Sequence, residues 1–257
     1  MSRFYRLVKF IEYRFKAKTK YYLHSPFIFR FYLDILEGKD DEALLNIKQL
    51  RENWSKDSSE LALEDFGTGN TNTRSVAEII NYVAVRHKYG KVLYRMVKNI
   101  KPSDILEIGT SLGLSSAYMA LGHPEATLNT LEGSPALSNK AQQLHNELRC
   151  SHTTFVTGNF DSRLPETLKN FDKLDLVFFD GNHTKEATLS YFLQCLPKAH
   201  ADTVFVFDDI YWSEGMTEAW EEIKQHQAVK LTIDIYQFGI VFFKKEKLAK
   251  EHFMLQY

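Results

Sequence analysis

The residue types best suited to chemistry start in Ile105-Leu106-Glu107-Ile108-Gly109-Thr110-Ser111-Leu112-Gly113. An apolar run carries an acid near its end, and a glycine-bearing turn then leads into a helical stretch. Glycine in such a turn lets a nucleoside-bearing ligand come within van der Waals distance of the main chain. The helix that follows presents free backbone N–H groups. One βαβ step later the next apolar run ends in Glu132-Gly133, where an acid accepts bonds from both ribose hydroxyls. A third run ends in Gly158-Asn159-Phe160-Asp161. There Phe160 suits a purine face and Asn159 or Asp161 its edge, although Asp161 alone reads as a helix cap.

A second cluster is Asp180-Gly181-Asn182-His183 with Asp208-Asp209, each following a wholly apolar run. Three carboxylates held together repel, and a divalent cation relieves them; oxygen ligation suits Mg²⁺, Ca²⁺ or Mn²⁺ rather than zinc. The alternative is that Asp208 or Asp209 caps a helix and Asp180 bonds a ligand directly. His183 is a candidate general base near neutral pH. Tyr211-Trp212 either walls an acceptor pocket or packs on the next helix. In His24-Ser25-Pro26-Phe27, Pro26 fits a first helical turn with Ser25 as its cap. Asp65-Phe66-Gly67-Thr68-Gly69 repeats the acidic, glycine-spaced pattern, but its preceding run Leu61–Asp65 is short and polar. It reads as a loop that covers a site, continued by a mobile Asn70–Thr73.

Positioning these residues requires a parallel sheet. Short apolar runs at Asp104–Ile108, Thr127–Leu131, Thr154–Thr157, Leu174–Phe179, Thr203–Phe207, Leu231–Ile235 and Gly239–Lys244 are the expected strands. Segments Ser115–Leu121, Ala136–Leu148, Thr184–Leu196 and Met216–His226 have helical periodicity. Only Tyr236–Phe238 separates the last two runs, so they must form an antiparallel hairpin. Before residue 90, helices are expected at Phe27–Glu37, Asp41–Trp54, Val76–Arg86 and Val92–Ile100, with a polar break at Ser55–Ser59.

The 257 residues suit one α/β domain with an appendage, or two small domains. With 44% hydrophobic and 25% charged residues, a packed core is expected. A net charge of -1 gives no global attraction to nucleic acid or an anionic membrane. Cys150 and Cys195 lack metal-ligand spacing, and a reducing cytoplasm is the expected compartment. Met1–Lys20 has no uninterrupted apolar core, so no membrane span is expected. It reads as a basic amphipathic segment with Phe4, Leu7, Phe10 and Ile11 packed on the domain; docking to membrane or RNA is the alternative.

Taken together, Glu107–Gly113, Glu132, Asp180-Gly181-Asn182-His183 and Asp208-Asp209 resemble class I S-adenosylmethionine (SAM)-dependent methyltransferases. The branch with the catechol and caffeoyl-CoA O-methyltransferases and the DGxH-type small-molecule enzymes is the most similar. Tyr89-Gly90-Lys91-Val92-Leu93 resembles the helix ahead of that branch's SAM loop. The likeness covers roughly residues 88 to 245 and rests on the motifs in combination. It implies a Rossmann-like α/β fold, a seven-stranded, mostly parallel sheet with one antiparallel strand. It also implies SAM at Glu107, Gly109, Thr110, Ser111, Gly113, Glu132, Gly133, Asn159, Phe160 and Asp180. In the catechol-type enzymes an Asp after the fourth strand and an Asp-Asn pair after the fifth hold Mg²⁺. Asp180, Asp208 and Asp209 occupy those positions here, with Asp in place of Asn. Their catalytic Lys is matched by His183.

The expected activity is therefore methyl transfer to a hydroxyl oxygen of a small-molecule acceptor, with Asp180 and His183 as catalytic residues. Residues 1–87 are expected to form a helical extension and lid, 88–257 the SAM-binding domain, and a homodimer is one expectation. The alternatives are an RNA or protein methyltransferase docking through the basic N-terminal segment, or a non-catalytic SAM-binding protein.

Overall fold

Amphipathic and apolar stretches alternate along the chain, and the computed structural model describes them over residues 3–64, 71–243 and 249–257. Contacts divide the chain into two units, Glu37–Asn170 and a discontinuous one of Met1–Leu36 with Phe171–Tyr257. The discontinuous unit opens with α1 (Arg3–Lys16) and α2 (Pro26–Phe31), the latter continuing through a π-helical turn at Tyr32–Leu36. Pro26 starts α2 with Ser25 at the N-cap position, although the Ser25 side chain makes no capping bond.

Helix α1 corrects one expectation. Phe4, Leu7 and Ile11 are 72%, 54% and 46% exposed, whereas Phe10, 42% exposed, does meet the domain, its ring edge-on to Tyr236 at 5.1 Å. The arc turned inward carries Tyr5, Arg6, Lys9 and the buried Tyr13. Aromatic hydroxyls explain the reversal: Tyr5 Oη donates to Thr217 Oγ1 at 2.9 Å, and Tyr13 Oη donates to the Leu255 carbonyl. Tyr13 Oη also accepts from the Tyr257 N–H at 3.0 Å.

In the Glu37–Asn170 unit, Asp41 caps α3 (Glu42–Trp54), accepting from the Leu44 N–H. Strands β1 (Glu60–Glu64) and β2 (Thr71–Ser75) pair antiparallel, Ala62 opposite Thr73. Thr71–Thr73 is thus strand where a mobile segment was expected, and the short polar run before it is strand too. Residues 65–70, which include the second glycine-spaced motif, lie outside the described residues. Ser75 and Glu78 form a capping box at α4 (Val76–Tyr82), and α5 (His87–Ile100) follows. Then β3 (Asp104–Ile108), α6 (Leu114–Gly122), β4 (Thr127–Glu132), α7 (Pro135–Glu147), β5 (Thr153–Thr157) and α8 (Phe160–Leu168) alternate. Strands β3, β4 and β5 are parallel, pairing Glu107 with Thr130 and Glu132 with Thr157. Helix α8 is announced only by the cap expected at Asp161, because Pro165 inside it disguises its period.

In the discontinuous unit, β6 (Leu174–Phe179) is buried throughout, as expected of a strand covered on both faces. It is followed by α9 (Lys185–Cys195), β7 (Ala199–Phe207), α10 (Glu214–Gln225), β8 (Leu231–Asp234), β9 (Gly239–Phe242) and β10 (Glu251–Met254). β6 and β7 are parallel, and β9 runs antiparallel to both β7 and β8, which is the expected terminal hairpin. Strand β10, parallel to β8, is an addition that four mixed residues do not announce. Residues 244–248, the tail of the last expected strand among them, lie outside the described residues. The seven expected apolar runs all coincide with strands of this Rossmann-like α/β chain. Among the described residues no helix is long and apolar enough to cross a membrane. Cys195 is buried in α9, and neither cysteine forms a disulfide.

Candidate active site

The turn after β3 is built on left-handed backbone: φ is +104° at Gly109, +51° at Ser111 and +81° at Gly113. A Cβ on Gly113 would stand 2.8 Å from Ala141 Cβ of α7, so glycine there meets both a backbone and a packing demand. The Gly109 and Thr110 N–H groups both donate to the Leu131 carbonyl, binding the turn to the end of β4. Glu132 completes the tie. Its Oε2 accepts from the Ser111 N–H at 2.7 Å and its Oε1 from the Ser134 N–H at 2.9 Å. Burial raises this carboxyl above its ordinary range, opposed by the N–H groups of Ser134, Ser111 and Gly133. With these three N–H groups bound, the carboxylate keeps one lone pair for a further donor.

Beneath the turn, Glu107 is fully buried. Thr130 Oγ1 donates to its Oε2, and Thr130 in turn meets the Thr110 hydroxyl. Oε1 has no partner among the described residues. Burial pushes this carboxyl up to about 7, against the hydroxyls of Ser115, Thr130 and Ser116. A buried acceptor without a donor is costly, so a ligand that brings an ammonium or hydroxyl donor fits this turn. His145 of α7 was overlooked in the sequence, where it reads as one more helical residue. Its Nε2 lies 2.9 Å from Ser116 Oγ and 3.2 Å from the Gly113 carbonyl, and burial holds it neutral, at about 4.

At the end of β5 the Gly158 N–H donates to the Glu132 carbonyl at 2.9 Å, bringing the third expected stretch beside the second. Asn159, not Asp161, is the cap of α8: its Oδ1 accepts from the Asp161 N–H at 2.8 Å. Phe160 is half-buried at the start of that helix.

The discontinuous unit gathers the second cluster. His183 Nε2 lies 3.5 Å from Asp180 Oδ1 and 3.9 Å from Asp209 Oδ2. Burial lowers the imidazole pKa and the Asp209 charge opposes this, so a neutral base is held against carboxylates. The Asp208 and Asp180 side chains share a hydrogen bond, and burial, then the Asp209 charge, raises the Asp208 carboxyl. Gln237, on the turn between β8 and β9, escaped the sequence reading because an amide in a hairpin turn carries no motif. Its Nε2 donates to Asp208 Oδ1 and Asp209 Oδ1, at 2.6 Å each.

The amide hydrogens therefore stand between two carboxylates where a shared cation would. Among the described residues no three acidic, imidazole or thiol side chains converge as a metal site. The donors suit a hard divalent ion in kind, but the arrangement closed by Gln237 does not fit one, and the expected cation at Asp180, Asp208 and Asp209 is unsupported.

Beside this cluster, the Trp212 N–H donates to the Asp209 carbonyl at 2.8 Å. Its indole is 38% exposed, with its ring centre 6.5 Å from that of His183 and the Arg6 guanidinium carbon 4.3 Å from its centroid. Tyr211 is buried, stacked on Tyr236, and donates to Asp234. Of the aromatic pair, Trp212 is thus the one exposed beside the imidazole, and Tyr211 is core.

Residues 106–210 match the family model described as "Methyltransferase domain". Catechol O-methyltransferase of Sus scrofa is 34% identical over 109 residues, 41% of this chain, and the match spans only 58% of that protein's length. Among solved structures, the O-methyltransferase TomG from Streptomyces achromogenes in complex with SAM superposes with a TM-score of 0.57. It shares 19% identity, over 80% of this chain and 91% of its own. The O-methyltransferase from Bacillus cereus in complex with SAH gives a TM-score of 0.56 at 20% identity, over 84% and 96%. These structures share the fold, and the matched segment runs from inside β3 to just past Asp209. Over residues 106–210 the chain thus matches a methyltransferase domain.

Proposed function

We propose that this protein transfers the methyl group of SAM to a hydroxyl oxygen of a small-molecule acceptor. The observation that carries the reading is the glycine turn tied to Glu132 above an orphaned, buried Glu107 Oε1. SAM brings ribose hydroxyls for the first acid and an ammonium group for such an acceptor, and catechol O-methyltransferase is a relative in sequence. Glu107, Gly109, Thr110, Ser111, Gly113, Glu132 and Gly133 would hold it, with Asn159 and Phe160 at the adenine and Asp180 at the amino acid end. When bound, SAM supplies an electrophilic methyl carbon, which passes in line to the acceptor oxygen as its bond to sulfur breaks. Neutral His183 takes the hydroxyl proton at Nε2, and Asp180 and Asp209 stabilise the imidazolium that results. Trp212 walls the acceptor. Residues 1–87 would form a helical extension and 88–257 the SAM-binding domain. A Mg²⁺ ion on Asp180, Asp208 and Asp209 would require Gln237 to leave both carboxylates, and no step here depends on one.

Calorimetry with SAM and turnover of methyl-labelled SAM with a hydroxylated metabolite pool test this. Gly109→Arg and Glu132→Ala are expected to abolish SAM binding. His183→Ala is expected to leave it intact and lower kcat by about 10²–10⁴. Unchanged SAM affinity in the first two would refute the site. Label recovered on nitrogen or on RNA would refute the acceptor class.

A further inference from the structure

Helix α1 turns its apolar side away from the protein. At 3.6 residues per turn, Leu7, Val8, Ile11 and Phe15 fall within an arc of roughly 100°. They are 54%, 36%, 46% and 87% exposed. The opposite arc holds α1 in place: Tyr5 on Thr217, Arg6 on Trp212, the Arg6 carbonyl on Tyr236 Oη, and Tyr13 between the Leu255 carbonyl and the Tyr257 N–H. A surface helix ordinarily buries its apolar arc, so this one is reversed. The stripe is also the apolar centre of a basic field. Residues 1–20 carry seven Lys and Arg against the single acid Glu12, in a chain whose net charge is -1. Arg3 and Arg14 border the stripe on one side at that spacing, while Lys16, Lys18 and Lys20 follow its end. Just beyond, Tyr21 and Tyr22 are 83% and 68% exposed.

We propose that α1 is a membrane-surface anchor. It lies flat on an anionic bilayer, with Leu7, Val8, Ile11 and Phe15 at the acyl boundary and the basic side chains on lipid phosphates. Both halves of the surface are needed to select this occupant. RNA would engage the cations and leave four aliphatic and aromatic side chains in water. A second copy of the chain would bury the stripe only by bringing two basic fields together. With 14 residues, α1 is too short to span a bilayer. The inference rests on the outer face of α1 and stands independently of the acceptor's identity.

Flotation of the full chain with vesicles tests it. Binding is expected to vesicles of phosphatidylcholine with phosphatidylserine, to weaken with salt, and to be far weaker with phosphatidylcholine alone. The triple variant Leu7→Ser, Ile11→Ser, Phe15→Ser is expected to lose roughly tenfold or more of that binding, since each side chain removes acyl contact. Its thermal unfolding and SAM affinity should match the wild type, because the three side chains are exposed. Arg3→Glu with Arg14→Glu should lose binding comparably. Triple-variant binding equal to wild type would overturn the proposal. So would wild-type binding that ignores lipid charge. Failure of the wild type to float overturns it as well, and two companion measurements then name the true occupant: a dimer in ultracentrifugation that the triple variant dissolves, or retention on a polyuridine column.

Discussion

At the residue scale, the buried acid under the glycine turn after β3 makes stability depend on pH. Glu107 has its folded pKa raised to about 7 from 4.5 by burial. The folded state therefore holds a proton that the unfolded state releases, and stability falls as pH rises from about 4.5 to 7, then levels. The loss approaches about 3 kcal/mol. Glu107→Gln, which stays neutral, is expected to flatten urea unfolding measured from pH 5 to 8, and to be the more stable protein at pH 8. A curve as steep as the wild type's would show that another group supplies the slope. Gln237 makes a different prediction. Gln237→Ala removes two donors from Asp208 and Asp209, leaving the carboxylates to find another counterion. Mn²⁺ affinity read by electron paramagnetic resonance should rise about tenfold or more over wild type. Equal affinities would mean the amide does not guard the pair.

At the element scale, the packing of α7 against the glycine turn is a point of low tolerance. Gly113→Ala places a methyl 2.8 Å from Ala141 Cβ on backbone at φ +81°. The expected cost is about 2–4 kcal/mol of unfolding free energy. Pairing it with Ala141→Gly should recover the steric part only. If Gly113→Ala unfolds like wild type, the close approach is not a constraint. The same scale shows why some elements were legible and others not. β6, β7 and β9 announce themselves through the apolar runs at 176–179, 204–207 and 239–242, because strands covered on both faces admit little else. Helix α8 begins with a cap displaced from the acid that seemed to provide it and contains Pro165, so its period is masked. In α1 the period is plain but the sense is inverted. Amphipathicity tells that a helix has two faces, and only the tyrosine hydroxyls at positions 5 and 13 decide which one turns inward. Gln237 was illegible for a related reason: its role comes from the hairpin that carries it to Asp208 and Asp209.

For the whole molecule, Tyr13 ties an early helix to the last strand. Tyr13→Phe removes the hydroxyl that bonds the Leu255 carbonyl and the Tyr257 N–H. Thermal or denaturant unfolding should show a loss of about 1–3 kcal/mol. A change within error would place the weight of that joint on packing alone. The discontinuity of the unit joined there has a consequence in time. Glu37–Asn170 is one continuous stretch, all of it synthesised before Phe171. Its companion is not: Lys18 donates its N–H to Met254 and accepts from Gln256, so the segment at Lys18 waits for one synthesised more than 200 residues later. Such long-range closure is slow and leaves early apolar segments exposed meanwhile. The path of the chain thus imposes an order: the unit bearing His183 closes only once residues 254–256 have been made, long after the whole of Glu37–Asn170.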